Sequence, residues 1–425
     1  MSYYVTFTWP KIFLKLKFFP DISFKGVYLV QVENMAWTSE YNRLPSVIGV
    51  PEIDRKLCLY DTTLRDGEQT VGVSFNSKQK LEIARLLEEV GVERIEAGMP
   101  VSSEEDFKAI QMIVNEVKNS EIWGFCRCVK ADIDAARDAG VKSVICEIPT
   151  SPYKMKAYSF TREKVFKSLV EHLKYAKSLG LRVAFFAVDA TRTPLEDLKE
   201  AYQSAVNEGG AEEVVLVDTL GVATPETMMY LTKQVKEWVK VPVMVHCHND
   251  FGMATACSLA AARAGAEYIH VTVNGIGEKS GNTDIAELAI AGSLLYGFKI
   301  SLDFSKLRII SKRVAEISKV PLSPLKPVTG DNVFKRESGV VIAQIVNYPP
   351  AAEGYAPELV GAEREILLGK KSGKASIRYM LEKYSILLEE EEKVEKILQE
   401  VKKLGVKKSG TVTEQEFLSI VKDLI

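Results

Sequence analysis

The chain has 425 residues, 46% of them hydrophobic and 26% charged, with a net charge of −2. That length exceeds one small core and predicts a large domain with accessories, and the near-neutral balance gives no nucleic-acid or anionic-membrane surface. The six cysteines (Cys58, Cys126, Cys128, Cys146, Cys247 and Cys257) form no Cys-x-x-Cys pair and read as buried, reduced thiols of a cytoplasmic protein.

Tyr3 to Phe19 is apolar and aromatic but broken by Lys11, Lys15 and Lys17. It is too short and too charged to span a membrane, and it lacks the order of a secretory signal. Met35 reads as the natural start, with residues 1–34 a mis-assigned extension and residues 1–50 outside the first domain. The alternative is an edge-strand appendage.

From Leu57 a strand–turn–helix rhythm sets in. The predicted strands are Leu57–Thr62, Arg94–Ala97, Ile122–Cys128, Ser143–Ile148, Arg182–Val188, Glu213–Asp218, Val243–Cys247 and Tyr268–Val273. Amphipathic helices are predicted between them over Ser77–Val90, Glu105–Val117, Asp132–Ala139, Thr161–Leu179, Leu195–Glu208, Pro225–Val239 and Thr255–Ala264. Eight such units predict an α/β fold, a (β/α)8 TIM barrel over residues 51–300. A doubly wound open sheet is the runner-up, weakened by the missing dinucleotide glycine fingerprint after the first strand. Residues 301–425 then read as a smaller, mostly helical region. It holds a helix at Phe304–Lys319, a linker stiffened by Pro321, Pro324 and Pro327, an irregular segment at Gly330–Ile345, and helices after Gly373, over Glu389–Leu404 and over Thr411–Ile425.

Catalytic groups of such barrels lie where strands end. Here the strand ends carry Asp61-Thr62-Thr63-Leu64-Arg65-Asp66-Gly67-Glu68-Gln69, Arg127, Glu147, Asp218-Thr219, His246-Cys247-His248-Asn249-Asp250 and Asn274-Gly275-Ile276-Gly277-Glu278-Lys279-Ser280-Gly281-Asn282. His246 and His248 stand two apart at the end of an apolar strand, so both project to one face. Paired imidazoles are a natural chelate for a divalent metal. Glu147 is a candidate general base or ligand orienter. Arg127 reads equally as a partner for a substrate carboxylate or as a salt bridge. Plainer readings stand beside others: Arg65 pairing with Asp66 or Glu68, Asp66 as a helix cap, Thr219 capping a turn, Lys279 as surface charge, His270 as barrel packing and His172 as a solvated helix residue.

These motifs resemble the 2-isopropylmalate synthase/homocitrate synthase family of metal-dependent barrel acyltransferases and lyases. The resemblance is strong over residues 57–300 and looser through Gly330-Asp331-Asn332, Glu337-Ser338-Gly339 and Leu368-Gly369-Lys370-Lys371-Ser372-Gly373. It implies a divalent metal (Mn, Mg or Zn) on Asp66, His246, His248 and Asn282. It implies a 2-oxo acid near Arg65, Gln69 and Thr219, with Arg65 placed to hold alkoxide charge. The glycine loop of Asn274, Gly275, Gly277 and Gly281 is expected against acetyl-CoA, the co-substrate, and Lys279 is a candidate for its phosphates. The implied reaction condenses acetyl-CoA with a 2-oxo acid, in a homodimer whose post-barrel segment packs on the partner. A carbon–carbon lyase of the hydroxymethylglutaryl-CoA type is the alternative, although its glycine-loop cysteine is absent from Asn274–Asn282.

The chain departs from the family at one place. Val341 stands where the family's Ser-Gly-Ile-His motif has histidine, and Tyr348 and Tyr355 are shifted from the usual tyrosine. Valine carries no proton, so Glu147, Glu337 or Tyr355 is expected to take over, or the reaction differs. No sequence follows residue 425 for a regulatory domain, so leucine inhibition through one is not expected.

Overall fold

A computed structural model describes residues 35–48 and 55–425; the reading of residues 1–34 lies outside them. The compact unit runs from Trp37 to Ile425. Its centre is a closed, parallel, eight-stranded barrel in sequential order. The strands are β1 (Cys58–Asp61), β2 (Arg94–Glu96), β3 (Glu121–Arg127), β4 (Ser143–Pro149), β5 (Arg182–Val188), β6 (Glu213–Asp218), β7 (Val243–Cys247) and β8 (Tyr268–Val271). β1 closes on β8 through Cys58↔Tyr268 to Asp61↔Val271.

The helices between strands follow the apolar periodicity of the sequence. Ser77–Val90 is the clearest case. Asn76 and Gln79 form a reciprocal capping box, Leu81, Ile83, Ala84 and Leu87 are buried, and Gly91 ends the helix in the left-handed region at φ 98°. β5, β6 and β7 are β-branched or aromatic runs packed between the helices and the interior, the composition of a strand covered on both faces.

Side chains fill the barrel in layers. Tyr60, Trp123, Phe125, Ile145, Phe186 and Met244 belong to one interior cluster. At the N-terminal end Arg94 donates to Glu213 from Nη1 and Nη2, at 2.6 and 3.0 Å. The Arg94 guanidinium also lies 3.6 Å from the Tyr268 ring centre. With Glu121 also bonded to Arg94 and Arg182 also bonded to Glu213, a charge network closes the bottom of the barrel. The open end is therefore the opposite one, where the strands finish.

Beyond shifts of a few residues at element ends, three features differ from the sequence expectation. β8 stops at Val271 because Asn274 adopts φ 63°, turning the chain into a single 3-10 turn at Val273–Gly275. The segment expected to be irregular holds a helix, Gly339–Asn347, whose Ile342 and Ile345 are buried one turn apart. His172, expected to be solvated, is half-buried, and its Nδ1 lies 2.8 Å from the Ser168 carbonyl oxygen. After the barrel, helices Lys374–Lys383, Glu391–Lys408 and Glu414–Leu424 bury Ile377, Ile397, Val401 and Phe417 in a core of their own. Among the described residues, no helix is long and apolar enough to cross a membrane.

Candidate metal centre

The loop after β1 is held by its own side chains. The Asp61 carboxylate accepts from the Thr63 N–H at 2.8 Å and from the Thr63 hydroxyl at 3.0 Å. Thr63 Oγ1 accepts from the Val273 N–H at 2.8 Å, and Thr70 Oγ1 accepts from the Gly277 N–H at 2.8 Å. The β1 loop and the glycine loop are thus stitched together, and Asp66 is fixed between them.

Asp66 Oδ2 lies 3.3 Å from His246 Nε2 and 3.6 Å from His248 Nε2. The two Nε2 atoms are 3.3 Å apart. All three side chains are buried, with ligand atoms within 4.8 Å of one another. Ligands about 2.1 Å from a common ion at roughly right angles sit about 3 Å apart, so this spacing suits one divalent cation. Burial lowers the pKa of both histidines: His246 moves down against the pull of Asp66, and His248 falls to about 4, with His246 adding to the effect. Neutral imidazoles keep a lone pair for a metal at neutral pH. Burial alone would raise the Asp66 carboxyl, but the Arg65 guanidinium, His246 and His248 hold it well below the usual range.

Asn282 stands beside the triad. Its Nδ2 donates to Asp66 Oδ1 at 3.1 Å and to the Ile276 carbonyl at 3.2 Å, while its buried Oδ1 has no partner. A buried carbonyl oxygen without a donor costs stability unless something positive meets it. Oxygen from Asp66 and Asn282 with two imidazoles is a donor set for Mn2+, Mg2+ or Zn2+. Gly277 lies directly against this group: a Cβ there would collide with Asn282 Nδ2 and stand 3.0 Å from Asp66 Oδ1.

Arg65 donates from Nε to Glu96 Oε2 at 2.5 Å and from Nη1 to Asp66 Oδ2 at 3.0 Å. Its guanidinium lies 4.0 Å from the Phe125 ring centre, and its buried Nη2 has no partner. Glu96 was missed in the sequence; its only signal is an acidic residue ending strand two. Glu147 faces the same chamber. Burial raises its pKa, against the charges of Arg65 and Arg127.

The other candidates sit around the rim. Gln69 is exposed on the 3-10 turn after Asp66. Thr219 Oγ1 accepts from the Asp189 N–H at 2.8 Å. Arg127 is forked onto Asp132, at 2.8 and 2.9 Å. Asn274 turns away from the mouth and exchanges bonds with Ser311 through Nδ2 and Oδ1. Gly275 and Gly281 have φ 68° and 84°, and a Cβ on Gly281 would strike the Gly275 carbonyl oxygen. Lys279 Nζ lies 3.1 Å from the Thr219 carbonyl oxygen and 3.2 Å from His248 Nδ1. His270 is buried below the triad, its ring stacked on Tyr60 at 4.2 Å. Val341 is half-buried on the Gly339–Asn347 helix, and Tyr355 packs edge-on against Phe334.

Residues 56–314 match the HMGL-like family model, and residues 328–409 match the homocitrate synthase post-HMGL domain-like model. The chain is 45% identical over 350 residues to a probable 2-isopropylmalate synthase of Methanopyrus kandleri, covering 82% of this chain and 70% of that protein. It is 42% identical over 375 residues to homocitrate synthase AksA of the same organism, covering 88% of this chain and 94% of that one. Among solved structures, HMG-CoA lyase of Bacillus subtilis superposes with a TM-score of 0.59 at 17% identity, over 66% of this chain and 98% of the lyase. That last likeness speaks for the fold. Identity with the synthases runs on past the barrel, and the chain belongs to the 2-isopropylmalate synthase/homocitrate synthase family.

Proposed function

We propose that this chain is a metal-dependent Claisen-type acyltransferase: acetyl-CoA, a 2-oxo acid and water give free CoA and a 2-alkylmalate- or homocitrate-type product with one carboxylate more than the oxo acid. One observation carries this reading. Two buried atoms without partners, Arg65 Nη2 and Asn282 Oδ1, belong to side chains that both bond the Asp66 carboxylate of the triad. A donor and an acceptor held ready at one carboxylate suit a cation and an anionic substrate bound together.

In this reading Asp66, His246, His248 and Asn282 hold the metal, which supplies Lewis acidity to the 2-oxo carbonyl. Arg65 Nη2 donates to the oxygen on which charge develops, and Glu96 fixes the direction of that bond. Thr219 Oγ1 already accepts from Asp189, so its own hydrogen is left to donate to the substrate carboxylate. Gln69 and Arg127 bound the substrate at the rim. Glu147, whose pKa burial raises, is the general base. It takes a proton from the acetyl methyl group, and the new carbon–carbon bond forms at the 2-oxo carbon. The resulting alkoxide gains a proton, and water cleaves the thioester to free the CoA thiol. Val341 offers no proton carrier, which leaves that work to Glu147. The loop of Asn274, Gly275, Gly277 and Gly281 lies along the acyl-CoA, its glycines allowing close approach.

The chain acts in the cytoplasm as a homodimer in this reading. Support for the second copy is the helix Gly339–Asn347, which leaves Val340 73% exposed. The test is CoA thiol release by purified protein with Mn2+ or Mg2+, acetyl-CoA and pyruvate, 2-oxoisovalerate or 2-oxoglutarate. Release that depends on the oxo acid is expected; none with any of them would sink the condensation.

A further inference from the structure

The two relatives named above differ in product. Isopropylmalate carries an apolar branch where homocitrate carries a further carboxylate. The side chains facing the triad bear on that difference. Phe125 and Phe186 meet edge to face at 5.5 Å, and the Phe186 ring lies 5.4 Å from that of His246. Val188 and Met99 pack on the same cluster. Alternation along β5 puts Val188 directly above Phe186, toward the open end, and alternation along β4 puts Glu147 above the interior residue Ile145.

A second carboxylate would need a cation on this wall. Arg65 is bound by Glu96 and Asp66, with Nη2 alone remaining. Arg127 is forked onto Asp132, and Arg192 onto Asp189. Lys154 has its charge set against Glu147. What remains is an apolar surface with a carboxyl group at its edge.

We infer that the pocket beside the triad takes a 2-oxo monocarboxylic acid with an apolar side chain, seated on Phe186 and Val188. It rejects a 2-oxo dicarboxylic acid because Glu147 meets the second carboxylate as a like charge. The inference rests on the condensation reading and specifies its substrate class. Like-charge juxtaposition and unpaired buried groups are the devices by which a site discriminates most strongly.

The test is calorimetric titration of the Mn2+-loaded protein with 2-oxoisovalerate and with 2-oxoglutarate, without acetyl-CoA, beside the thiol-release assay. We expect 2-oxoisovalerate to bind at least thirtyfold more tightly, and Glu147→Gln to narrow that ratio at least fivefold with unchanged circular dichroism. Equal or tighter binding of 2-oxoglutarate overturns the inference, as does binding of neither acid. An unchanged ratio in Glu147→Gln removes Glu147 as the rejecting group. Selective binding without thiol release would sink the condensation and leave the pocket assignment standing.

Discussion

Lys279 Nζ stands 3.2 Å from His248 Nδ1, on the side of the ring away from Asp66. An ammonium group has only hydrogens to give, so in this arrangement Nδ1 accepts and Nε2 carries the ring proton. A metal on Nε2 requires the opposite tautomer, with the proton on Nδ1 facing Lys279. Lys279 is therefore predicted to oppose metal loading, and Asp250 and Glu278, each 3.7 Å from Nζ, are where it can turn. Lys279→Met is expected to bind Mn2+ about tenfold more tightly, a difference of about 1.4 kcal/mol. Competition titration against a metal indicator measures it, and unchanged or weaker affinity would contradict the opposition.

His246 is the proposed ligand whose loss should be cleanest. It is buried at the end of β7, and its side chain contacts Asp66 and His248 rather than the helical layer. His246→Ala is expected to lower bound metal by more than tenfold while the far-ultraviolet circular dichroism stays that of the wild type. Elemental analysis of the dialysed protein gives the answer. Wild-type metal content in the variant would place the ion elsewhere.

Much of this arrangement is legible in the residues themselves. β5, β6 and β7 run from the first to the last residue expected, because Val, Ala, Leu, Met and Phe in unbroken runs between turns leave little choice of register. His246 and His248 share a face by strand period alone. Glu96 was not legible, since a single acid at a strand end gives no sign that an arginine thirty-one residues earlier will bond to it. A salt bridge was one of two readings open for Arg127, but its partner Asp132 was not legible, because that depends on how the next helix starts. The helix at Gly339–Asn347 escaped because glycine, serine and three consecutive β-branched residues argue against helix locally, and only burial of Ile342 and Ile345 decides it.

Glu96 is predicted to be a positioning residue. It accepts from Arg65 Nε at 2.5 Å and from the Tyr60 hydroxyl at 3.1 Å, and it touches no ligand atom of the triad. Glu96→Gln keeps the shape and one acceptor but removes the charge opposite Arg65. The expected result is a fall of about 10- to 100-fold in kcat/KM with metal content unchanged, as for other groups that orient a site through another residue. Elemental analysis and steady-state kinetics on the same preparation separate the two effects. Loss of metal together with activity would make Glu96 part of the metal site instead.

The histidines also set a pH dependence for the metal-free protein. Burial lowers the His248 pKa from 6.5 to about 4, so in the native state the ring stays neutral where the unfolded chain's imidazole is already charged. Between those two values the unfolded state binds more protons, and stability must fall as pH falls. The contribution is complete above about pH 6.5 and is lost progressively toward pH 4. Each tenfold difference in proton affinity between the two states is worth about 1.4 kcal/mol, so the loss amounts to roughly 1–3 kcal/mol. Urea unfolding of chelator-treated protein at pH 7.5 and about pH 4.5 is expected to show that loss on top of the background from other groups, and His248→Gln to reduce it. Equal pH slopes for the variant and the wild type would mean that His248 is already protonated in the native metal-free protein.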